Sequence, residues 1–388
     1  RPKLRFPGFD ESYRTTPLGE IASLVNRTDP KSNAPIMMLS AGNGFIMQSE
    51  KYSRDNAGQS LKKYILLKQG ELAYNHGASK AKQFGCCYEL TEPEARIPYV
   101  YHCFKINDHE YTPFIAMALN NAKMDKQLKR LVSSSVRMDG LLNISFEDYM
   151  SVTLHLPSST EQKHIADFLK KIDERIAAQE KLLASLKKYK RGLLMHYFSD
   201  DKTQLWTQCS VSQIGKVITG STPPTNDRSN YDGDLLFCAP GDVGEQKYIS
   251  STEKRVSPKG FALGRPLPPN SVIVTCIGLI GKLGIAKTSM ITNQQINALV
   301  VSEGFDHEFI YYAFENFFPE YRSKVSMQTL PILSKSEFEK LMIKVPDLDV
   351  QHKISSHLAA MDRRIEHTQQ ELNALIEHRR GIMQQLFI

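Results

Sequence analysis

The sequence has little that would place the protein in a membrane, an oxidising compartment or a metal-binding class. No apolar run approaches the roughly 20 residues of a membrane span, and the first residues carry no signal-peptide segment. The cysteines, six in number, form no Cys-x-x-Cys pair and no Cys/His cluster at zinc spacing. We therefore expect a cytoplasmic protein with reduced thiols, no metal and no membrane contact. Because the chain begins with Arg1 rather than Met, we also expect that some N-terminal residues are missing.

Catalytic motifs are absent from the sequence as well. Residues 42–44, Gly-Asn-Gly, lack the third glycine of a dinucleotide-binding loop, and the Gly-Lys pair at 281–282 is followed by leucine, which excludes a P-loop. Residues 222–225, Thr-Pro-Pro-Thr, lack both the amide and the aromatic ring of an amino-methylation tetrapeptide. We predict that the chain has no catalytic residue of its own.

The composition is that of a folded protein. The 388 residues, of which 41% are hydrophobic and 23% charged, suffice for two globular domains. The formal net charge of +7 and the isoelectric point near 8.9 are compatible with a polyanionic partner. Many soluble proteins share these values, so charge alone does not identify the partner.

Internal duplication organises the chain. The segment from Pro157 and the segment from Pro346 align without a gap at a separation of 189 residues. In both copies apolar residues recur at alternating spacings of three and four, without proline, which is typical of a helix with a heptad seam. A helix of about 38 residues is roughly 57 Å long. Residues shared by the two copies include Gln162 and Gln351, Asp173 and Asp362, Arg175 and Arg364, and Phe198 and Phe387.

The apolar seams of the two copies match position by position. Polar residues interrupt both seams at the same places, Gln179 with Thr368 and Lys190 with Arg379. Because polar seam residues fix the register of a coiled coil, matching interruptions predict that the two helices pair with each other. The alternative is a coiled coil between different chains of a structural protein. The predicted seam contains Ile165, Leu169, Ile172, Ile176, Leu183, Leu186, Ile354, Leu358, Met361, Ile365, Leu372 and Leu375.

The segments that precede the two helices also correspond, at offsets that vary as loops do on a shared scaffold. Short β-branched runs punctuated by Gly and Pro predict strands, and helices near the end of each segment complete an α+β class. We predict domains at 1–156 and 199–345, followed by helices at 157–198 and 346–388. Four local matches support the correspondence of the two segments. Residues 18–21 match 214–217, and a turn and strand at 70–74 match those at 270–274. Predicted helices start at Phe114 and Phe309, and Ser145 and Ser334 each precede a short helix and strand.

This arrangement resembles the specificity subunits of type I restriction-modification systems, over essentially the whole chain. The resemblance rests on several phrases that are weak singly and strong together. They are residues 4–9 (Leu-Arg-Phe-Pro-Gly-Phe), 162–169 (Gln-Lys-His-Ile-Ala-Asp-Phe-Leu), 188–194 (Lys-Tyr-Lys-Arg-Gly-Leu-Leu), 220–223 (Gly-Ser-Thr-Pro) and 293–296 (Asn-Gln-Gln-Ile).

The resemblance implies two tandem target-recognition domains held apart by the helices, which pair as an antiparallel coiled coil with pseudo-twofold symmetry. Each domain would read one half of a bipartite, asymmetric site in double-stranded DNA. Methyltransferase subunits would use S-adenosylmethionine to methylate adenine, and restriction subunits would use ATP and Mg to translocate and cleave DNA. The cofactors would thus belong to the partner subunits. The first domain departs from the pattern, because residues 26–30, Asn-Arg-Thr-Asp-Pro, stand where a Gly-x-Thr-Pro element is expected.

Candidate DNA-contacting residues lie in polar loops, where side chains reach phosphates and base edges. In the first domain they are Lys31, Asn33, Asn43, Arg54, Asn75, His76, Lys80 and Lys82. In the second domain they are Ser221, Thr222, Arg228, Lys247, Lys254, Lys259, Arg265 and Lys282. The basic run Lys187, Lys188, Lys190 and Arg191 either touches phosphates of the unread spacer or forms a solvated flank or partner contact of the coiled coil.

Two other classes of function stay open on the sequence. One is a coiled-coil scaffold whose two domains bind protein or glycan. The other is an enzyme with an unrecognised site. Salt-dependent retention of duplex DNA separates the first from the specificity subunit, and cleavage or methylation by the isolated chain supports the second.

Overall fold

The chain divides into two units, each of which contains one globular domain and parts of both long helices. The computed structural model describes residues 2–51, 58–79, 82–132, 142–244, 246–325 and 331–387. The first unit comprises Arg1–Gln179 with Glu371–Ile388, and the second comprises Glu180–Gln370. The division between the units therefore falls within the long helices.

The domain of the first unit is α+β. Its strands are β1 (Arg14–Pro17), β2 (Ala22–Leu24), β3 (Met37–Ser40), β4 (Gly44–Met47), β5 (Ile65–Lys68), β6 (Leu72–Asn75), β7 (Cys86–Glu89), β8 (Glu94–Ile97), β9 (His102–Ile106) and β10 (Thr153–Leu156). Its helices are α1 (Leu18–Ile21), α2 (Gln48–Lys51), α3 (Thr112–Ala118), α4 (Ala122–Leu131) and α5 (Phe146–Met150). A 3-10 helix spans Gly58–Lys63.

An antiparallel sheet with strand order β2-β9-β6-β7 forms the centre of this domain. The strand pairs β1-β10, β3-β4 and β5-β8 flank it. Large apolar side chains fill the core, where the rings of Tyr74 and Tyr149 stack 3.8 Å apart. Ile165, Leu169 and Leu386 of the long helices belong to the same core, so helix and domain share one buried interior.

The first long helix, α6, spans Ser159–Tyr197, and its 39 residues confirm the helix predicted from the heptad pattern. The second unit continues with the helices α7 (Asp200–Thr203), α8 (Val211–Ile214), α9 (Pro258–Leu263), α10 (His307–Val325) and α11 (Lys335–Lys340). Its strands are β11 (Thr207–Ser210), β12 (Gly215–Thr219), β13 (Tyr231–Cys238), β14 (Tyr248–Ile249), β15 (Lys254–Val256), β16 (Val272–Thr275), β17 (Leu283–Ala286), β18 (Met290–Thr292), β19 (Ile296–Val301) and β20 (Met342–Val345). The second long helix, α12, spans Leu348–Leu386.

The sheet of the second domain has the order β12-β19-β16-β17-β14, with a second sheet β15-β13-β18 and the pair β11-β20. Apart from the added parallel strand β14, its main sheet repeats the order of the first domain's sheet. Val272, Val274 and Leu299 lie in its core together with Leu194 of α6 and Leu358 of α12. The prediction of an α+β class for both domains is confirmed.

Local signals noted in the two halves of the sequence have equivalent structures. Ser145 and Ser334 each cap a short helix through a capping box, with Asp148 and Glu337 at the third helical position. Gly70 and Asn270 both adopt positive φ, +82° and +66°, in the turns that lead into β6 and β16. Glycine and asparagine are the residues that tolerate this conformation best. The predicted turn-and-strand correspondence is therefore confirmed.

One predicted correspondence is out of register. Residues 18–21 match 211–214 rather than 214–217, because α1 and α8 both follow a strand that pairs with the last strand of the domain. The backbone N–H of Leu18 donates to Val152, and that of Val211 donates to Leu341, at 2.8 and 2.9 Å. The Leu-Gly-Glu-Ile and Ile-Gly-Lys-Val sequences look alike, but hydrogen bonding to the last strand decides the alignment.

Each long helix begins with the same buried glutamine. Gln162 donates from Nε2 to the carbonyl oxygen of Pro157 and accepts from the backbone N–H of Tyr111, just before α3. Gln351 donates to Pro346 and accepts from the N–H of Asp306, just before α10. The same side chain thus links the start of the long helix to the start of a domain helix in both units.

The helices α6 and α12 contact each other within each unit through equivalent residues. In the first unit Arg379 Nη2 lies 2.9 Å from Asp173 Oδ2. In the second unit Lys190 Nζ lies 2.7 Å from Asp362 Oδ1 and 2.9 Å from Glu315 Oε1. Asp173 corresponds to Asp362 in the repeat, and Lys190 corresponds to Arg379. The polar interruptions of the seam at Lys190 and Arg379 are therefore paired charges.

The predicted seam residues are mostly covered. Ile172, Ile176, Ile365 and Leu375 are partly buried. Buried seam residues are Ile165, Leu169, Leu183, Leu186, Ile354, Leu358, Met361 and Leu372. No helix in the described part of the chain has both the length and the apolar character of a membrane span.

Candidate nucleic-acid interface

In the second domain, three loops meet at one edge of the main sheet. Strand β12 ends at Thr219, which pairs with Asn297, and β16 ends at Thr275, which pairs with Ile296. Both strands run antiparallel to β19, which begins at Ile296. The loop after β12, the loop after β16 and the loop before β19 therefore lie side by side.

Two phrases that are 70 residues apart in sequence contact each other at this edge. Thr222 Oγ1 donates to Gln294 Oε1 at 2.6 Å, and the N–H of Gly220 donates to the carbonyl oxygen of Ile296 at 3.0 Å. A Cβ atom at Gly220 would lie 2.2 Å from the carbonyl oxygen of Asn293. Only glycine permits this approach of two backbones.

The result is a surface rich in amides and hydroxyls. Gln294 and Thr222 are exposed, and the exposed Arg265 is held against the same edge by a 2.9 Å hydrogen bond from Nη1 to the carbonyl oxygen of Thr219. Side-chain amides match the major-groove edge of adenine, and guanidinium groups match that of guanine. We call the set Ser221, Thr222, Arg265, Asn293, Gln294 and Gln295 the polar loop face.

Several predicted cations of this domain are exposed. Lys259 Nζ forms an ion pair with Asp227 at 2.7 Å, and hydrogen bonds from Lys259 and from Ser229 lower the pKa of Asp227 to about 2. Arg228 and Lys254 are exposed, whereas Lys282 is half-buried at the start of β17. The exposed cations have the access that a phosphate contact needs.

Lys247 does not fit the prediction that it faces DNA. Its side chain is 12% exposed, and Nζ lies 2.9 Å from the hydroxyl of Tyr312 and 3.2 Å from Glu308 Oε1 on α10. The ammonium also lies 4.5 Å from the centre of the Tyr312 ring. Burial lowers the pKa of Lys247 against the opposing effect of Glu308. The prediction is wrong because the side chain of this lysine joins the segment just before β14 to α10.

In the first domain, the corresponding loops lie at the corresponding edge of the main sheet. Strand β2 ends at Leu24, which pairs with Phe104, and β6 ends at Asn75, one residue after Tyr74, which pairs with His102. The loops after β2 and after β6 thus meet in front of β9. Lys31 and Asn33, in the loop after β2, are exposed, and Asn43 is exposed in the turn between β3 and β4.

His76 is buried, contrary to the prediction that it faces DNA. Its Nδ1 lies 2.9 Å from the carbonyl oxygen of Leu142, and its Nε2 lies 3.0 Å from that of Val100. Both ring nitrogens therefore face backbone oxygens inside the domain. The imidazole holds three chain segments together and does not present an edge to a base.

Two further candidates support the loop after β6. Asn75 accepts through Oδ1 from the N–H of Gly77 at 2.9 Å, and Lys82 donates from Nζ to the carbonyl oxygen of Asn120 at 2.8 Å. These contacts define the shape of the loop, and a DNA contact by either residue stays a prediction. Arg54 and Lys80 lie outside the described residues.

Sequence reasoning did not include Asn293, Gln294 and Gln295 among the DNA-contacting candidates. They form a run of amides between two buried strands, β18 and β19. One indication was present in the sequence, since the phrases at 220–223 and 293–296 both resemble the family. Their contact with each other could not be predicted, because it depends on the register of the sheet.

Comparison with known proteins gives a family. The family model of the type I restriction modification DNA specificity domain matches residues 62–188 and again residues 204–378. These two matches cover more than half of the chain. The chain belongs to this family.

Two curated relatives are both named as specificity subunits of type I restriction enzymes. The type I restriction enzyme MjaIX specificity subunit of Methanocaldococcus jannaschii is 30% identical over 178 residues, which are 44% of this chain and 41% of that protein. The type I restriction enzyme HindI specificity subunit of Haemophilus influenzae is 29% identical over 108 residues, 27% of this chain and 24% of that protein. The matched region is less than half the length of these relatives.

Solved structures share the fold over nearly the whole chain. The S subunit of a type I restriction-modification system from M. genitalium has a TM-score of 0.65 at 14% identity, covering 100% of this chain and 99% of that one. A chain solved in work on complex assembly and conformational transition of the type I R-M system has a TM-score of 0.59 at 16% identity, covering 97% of both. The fold and the duplicated family match fit two tandem recognition domains.

Proposed function

We propose that this chain is the specificity subunit of a type I restriction-modification enzyme and that each of its domains reads one half of a bipartite, asymmetric DNA site. The observation that carries the proposal is the polar loop face on a family-matched domain, where Gln294, Thr222 and Arg265 are exposed together. Amide, hydroxyl and guanidinium groups on loops of a rigid sheet suit the reading of base edges. The family match favours this function over that of a coiled-coil scaffold.

The proposal includes the pairing of α6 and α12 as an antiparallel coiled coil with pseudo-twofold symmetry. Two ion pairs between the helices support it, Arg379 with Asp173 in one unit and Lys190 with Asp362 in the other. The two pairs use corresponding positions of the repeat, with the roles of the two helices exchanged. A pair of equivalent contacts with exchanged partners is what a twofold axis between two antiparallel helices produces. Such helices would hold the two readers at a set distance.

The partners in this proposal supply the chemistry. Methyltransferase subunits bring S-adenosylmethionine and methylate adenine, and restriction subunits bring ATP and Mg for translocation and cleavage. No residue of this chain is assigned to a cofactor. We propose that this protein acts in the cytoplasm, because the DNA that it would read is there and because the cytoplasm keeps cysteine thiols reduced.

Methylome sequencing tests the function directly. Cells that carry this chain with its methyltransferase subunits are compared with cells that carry the methyltransferase subunits alone. We expect one bipartite adenine-methylated motif in the first cells and none in the second. The same motif in both, or methylation or cleavage by the purified chain alone, would contradict the proposal.

A further inference from the structure

The loop between β16 and β17, residues 276–282, presents a leucine to solvent beside the polar loop face. Leu279 is 70% exposed, whereas its neighbour Ile280 is 2% exposed. Gly278 and Gly281 adopt φ values of +74° and +78°, a conformation that favours glycine. A Cβ atom at Gly281 would also lie 2.5 Å from the ring of Phe318. The chain therefore turns sharply on both sides of the exposed side chain.

Hydrogen bonds hold this loop on both sides. The N–H of Gly281 donates to the carbonyl oxygen of Thr275 at 2.8 Å, and the N–H of Lys282 donates to Thr275 Oγ1 at 3.0 Å. Arg322 donates from Nη1 to the carbonyl oxygen of Gly281 at 3.2 Å. Hydrogen bonds on both sides thus hold the backbone that carries Leu279, which reduces the ordering that binding of a partner would require.

The loop of residues 276–282 adjoins the polar loop face. The N–H of Cys276, the first residue of this loop, donates to the carbonyl oxygen of Gln295 at 2.8 Å. This hydrogen bond joins the loop to residues 293–295. Ile332, 54% exposed, extends the apolar surface, since Ile277 and Ile332 form an antiparallel bridge. A small apolar patch therefore adjoins exposed amides.

We propose that Leu279 contacts the 5-methyl group of a thymine in the major groove, beside an adenine read by the amide of Gln294. The inference rests on the proposed function and deepens it. The thymine methyl group is the apolar feature of the major-groove edges, and amides match the adenine N6 and N7 positions. An amide and an apolar side chain exposed on adjoining loops therefore suit A·T pairs. This assigns at least one T·A pair to the half-site of the second domain.

Replacement of thymine by deoxyuridine tests the contact, because it removes only the methyl group. The 388-residue chain, assembled with its methyltransferase subunits, is titrated with duplexes in which each thymine of the second half-site is replaced singly. At one position or two adjacent positions we expect affinity to fall about fourfold, the value for one methyl group withdrawn from apolar contact. Leu279→Ala should bind the thymine and deoxyuridine duplexes equally.

Leu205→Ala is the matched control, because Leu205 is 98% exposed and lies before β11, outside the loops at the sheet edge. This variant should keep the difference between thymine and deoxyuridine. A half-site without a T·A pair, wild-type binding that no replacement weakens, or a difference that persists in Leu279→Ala would each overturn the proposal. Weaker assembly with the partner subunits and unchanged DNA binding by Leu279→Ala would show a protein contact instead. Failure of the wild-type chain to bind duplex DNA would contradict the proposed function itself.

Discussion

Gly220 is the residue on which the polar loop face depends most directly. It lies where the backbone after β12 passes the backbone before β19, and its missing side chain leaves room for the carbonyl oxygen of Asn293. The contact sets the distance between Thr222 and Gln294. If this face reads DNA as proposed, its specificity depends on a backbone approach as well as on side chains.

We expect Gly220→Ala to destabilise the second domain by about 1 to 3 kcal/mol, the usual cost of overpacking, and to abolish recognition of its half-site. Thermal unfolding and duplex binding measure the two effects. Gly241→Ala is the control, since a Cβ atom there meets nothing within 4 Å. Equal behaviour of the two variants would mean that the close approach does not shape the face.

We expect His102 to contribute to acid sensitivity of the first domain. Burial lowers its pKa below the ordinary value near 6.5, against a hydrogen bond to the carbonyl oxygen of Ile144. The unfolded chain therefore binds more protons than the folded one as the pH falls through about 6.5. The stability that this group contributes is complete above that pH and declines below it.

His102→Gln should make this decline shallower, because the amide can donate to Ile144 and does not titrate. The measurement is the free energy of unfolding by urea at pH 7.5 and at pH 5.5. His109→Gln, at an exposed position, controls for the loss of an imidazole. A decline as steep in His102→Gln as in the wild type would assign the acid sensitivity to other groups.

At the scale of elements, the long helices combine an apolar seam with paired charges. Lys190 is 13% exposed and lies among Glu315, Asp362 and the Tyr312 ring, so it does not belong to the solvated basic run. Lys187, Lys188 and Arg191 are exposed. If the two helices pair as proposed, these partly buried charges would help to fix their register, because a shift of the helices would separate them.

Leu183→Ala tests the seam. Leu183 is 7% exposed, and truncation of a well-packed leucine costs roughly 2 to 5 kcal/mol. If the helices set the spacing of the two readers, binding of the complete site should weaken more than binding of a single half-site. Thermal unfolding and binding to full-site and half-site duplexes give the comparison.

The adjacent Leu182 supplies the control, since it is 41% exposed on the same helix. Leu182→Ala should change stability by less than about 0.5 kcal/mol. If Leu183→Ala were as mild as Leu182→Ala, the seam and the helix pairing built on it would have to be given up.

At the scale of the whole molecule, the proposal that each family-matched domain reads one half-site can be tested by a domain exchange. Replacement of residues 1–156 by the corresponding domain of another specificity subunit should change one half of the methylated motif and leave the other half as it was. Methylome sequencing reads both halves at once. A change in both halves, or in neither, would contradict the assignment of one domain to one half-site.

The duplication, both long helices, the α+β class and the serine-capped helices could be predicted from the sequence, because these depend on local spacing and on capping chemistry within a few residues. Which polar residues are accessible depends instead on long-range packing. Lys247 and His76 stand in polar loops like their neighbours. Yet Lys247 contacts α10 through its ammonium, and the ring nitrogens of His76 face two backbone carbonyl oxygens. The polar loop face also depends on sheet register, which brings Thr222 to Gln294 across 72 residues of chain. Long-range backbone hydrogen bonds set that register, and no local pattern encodes them.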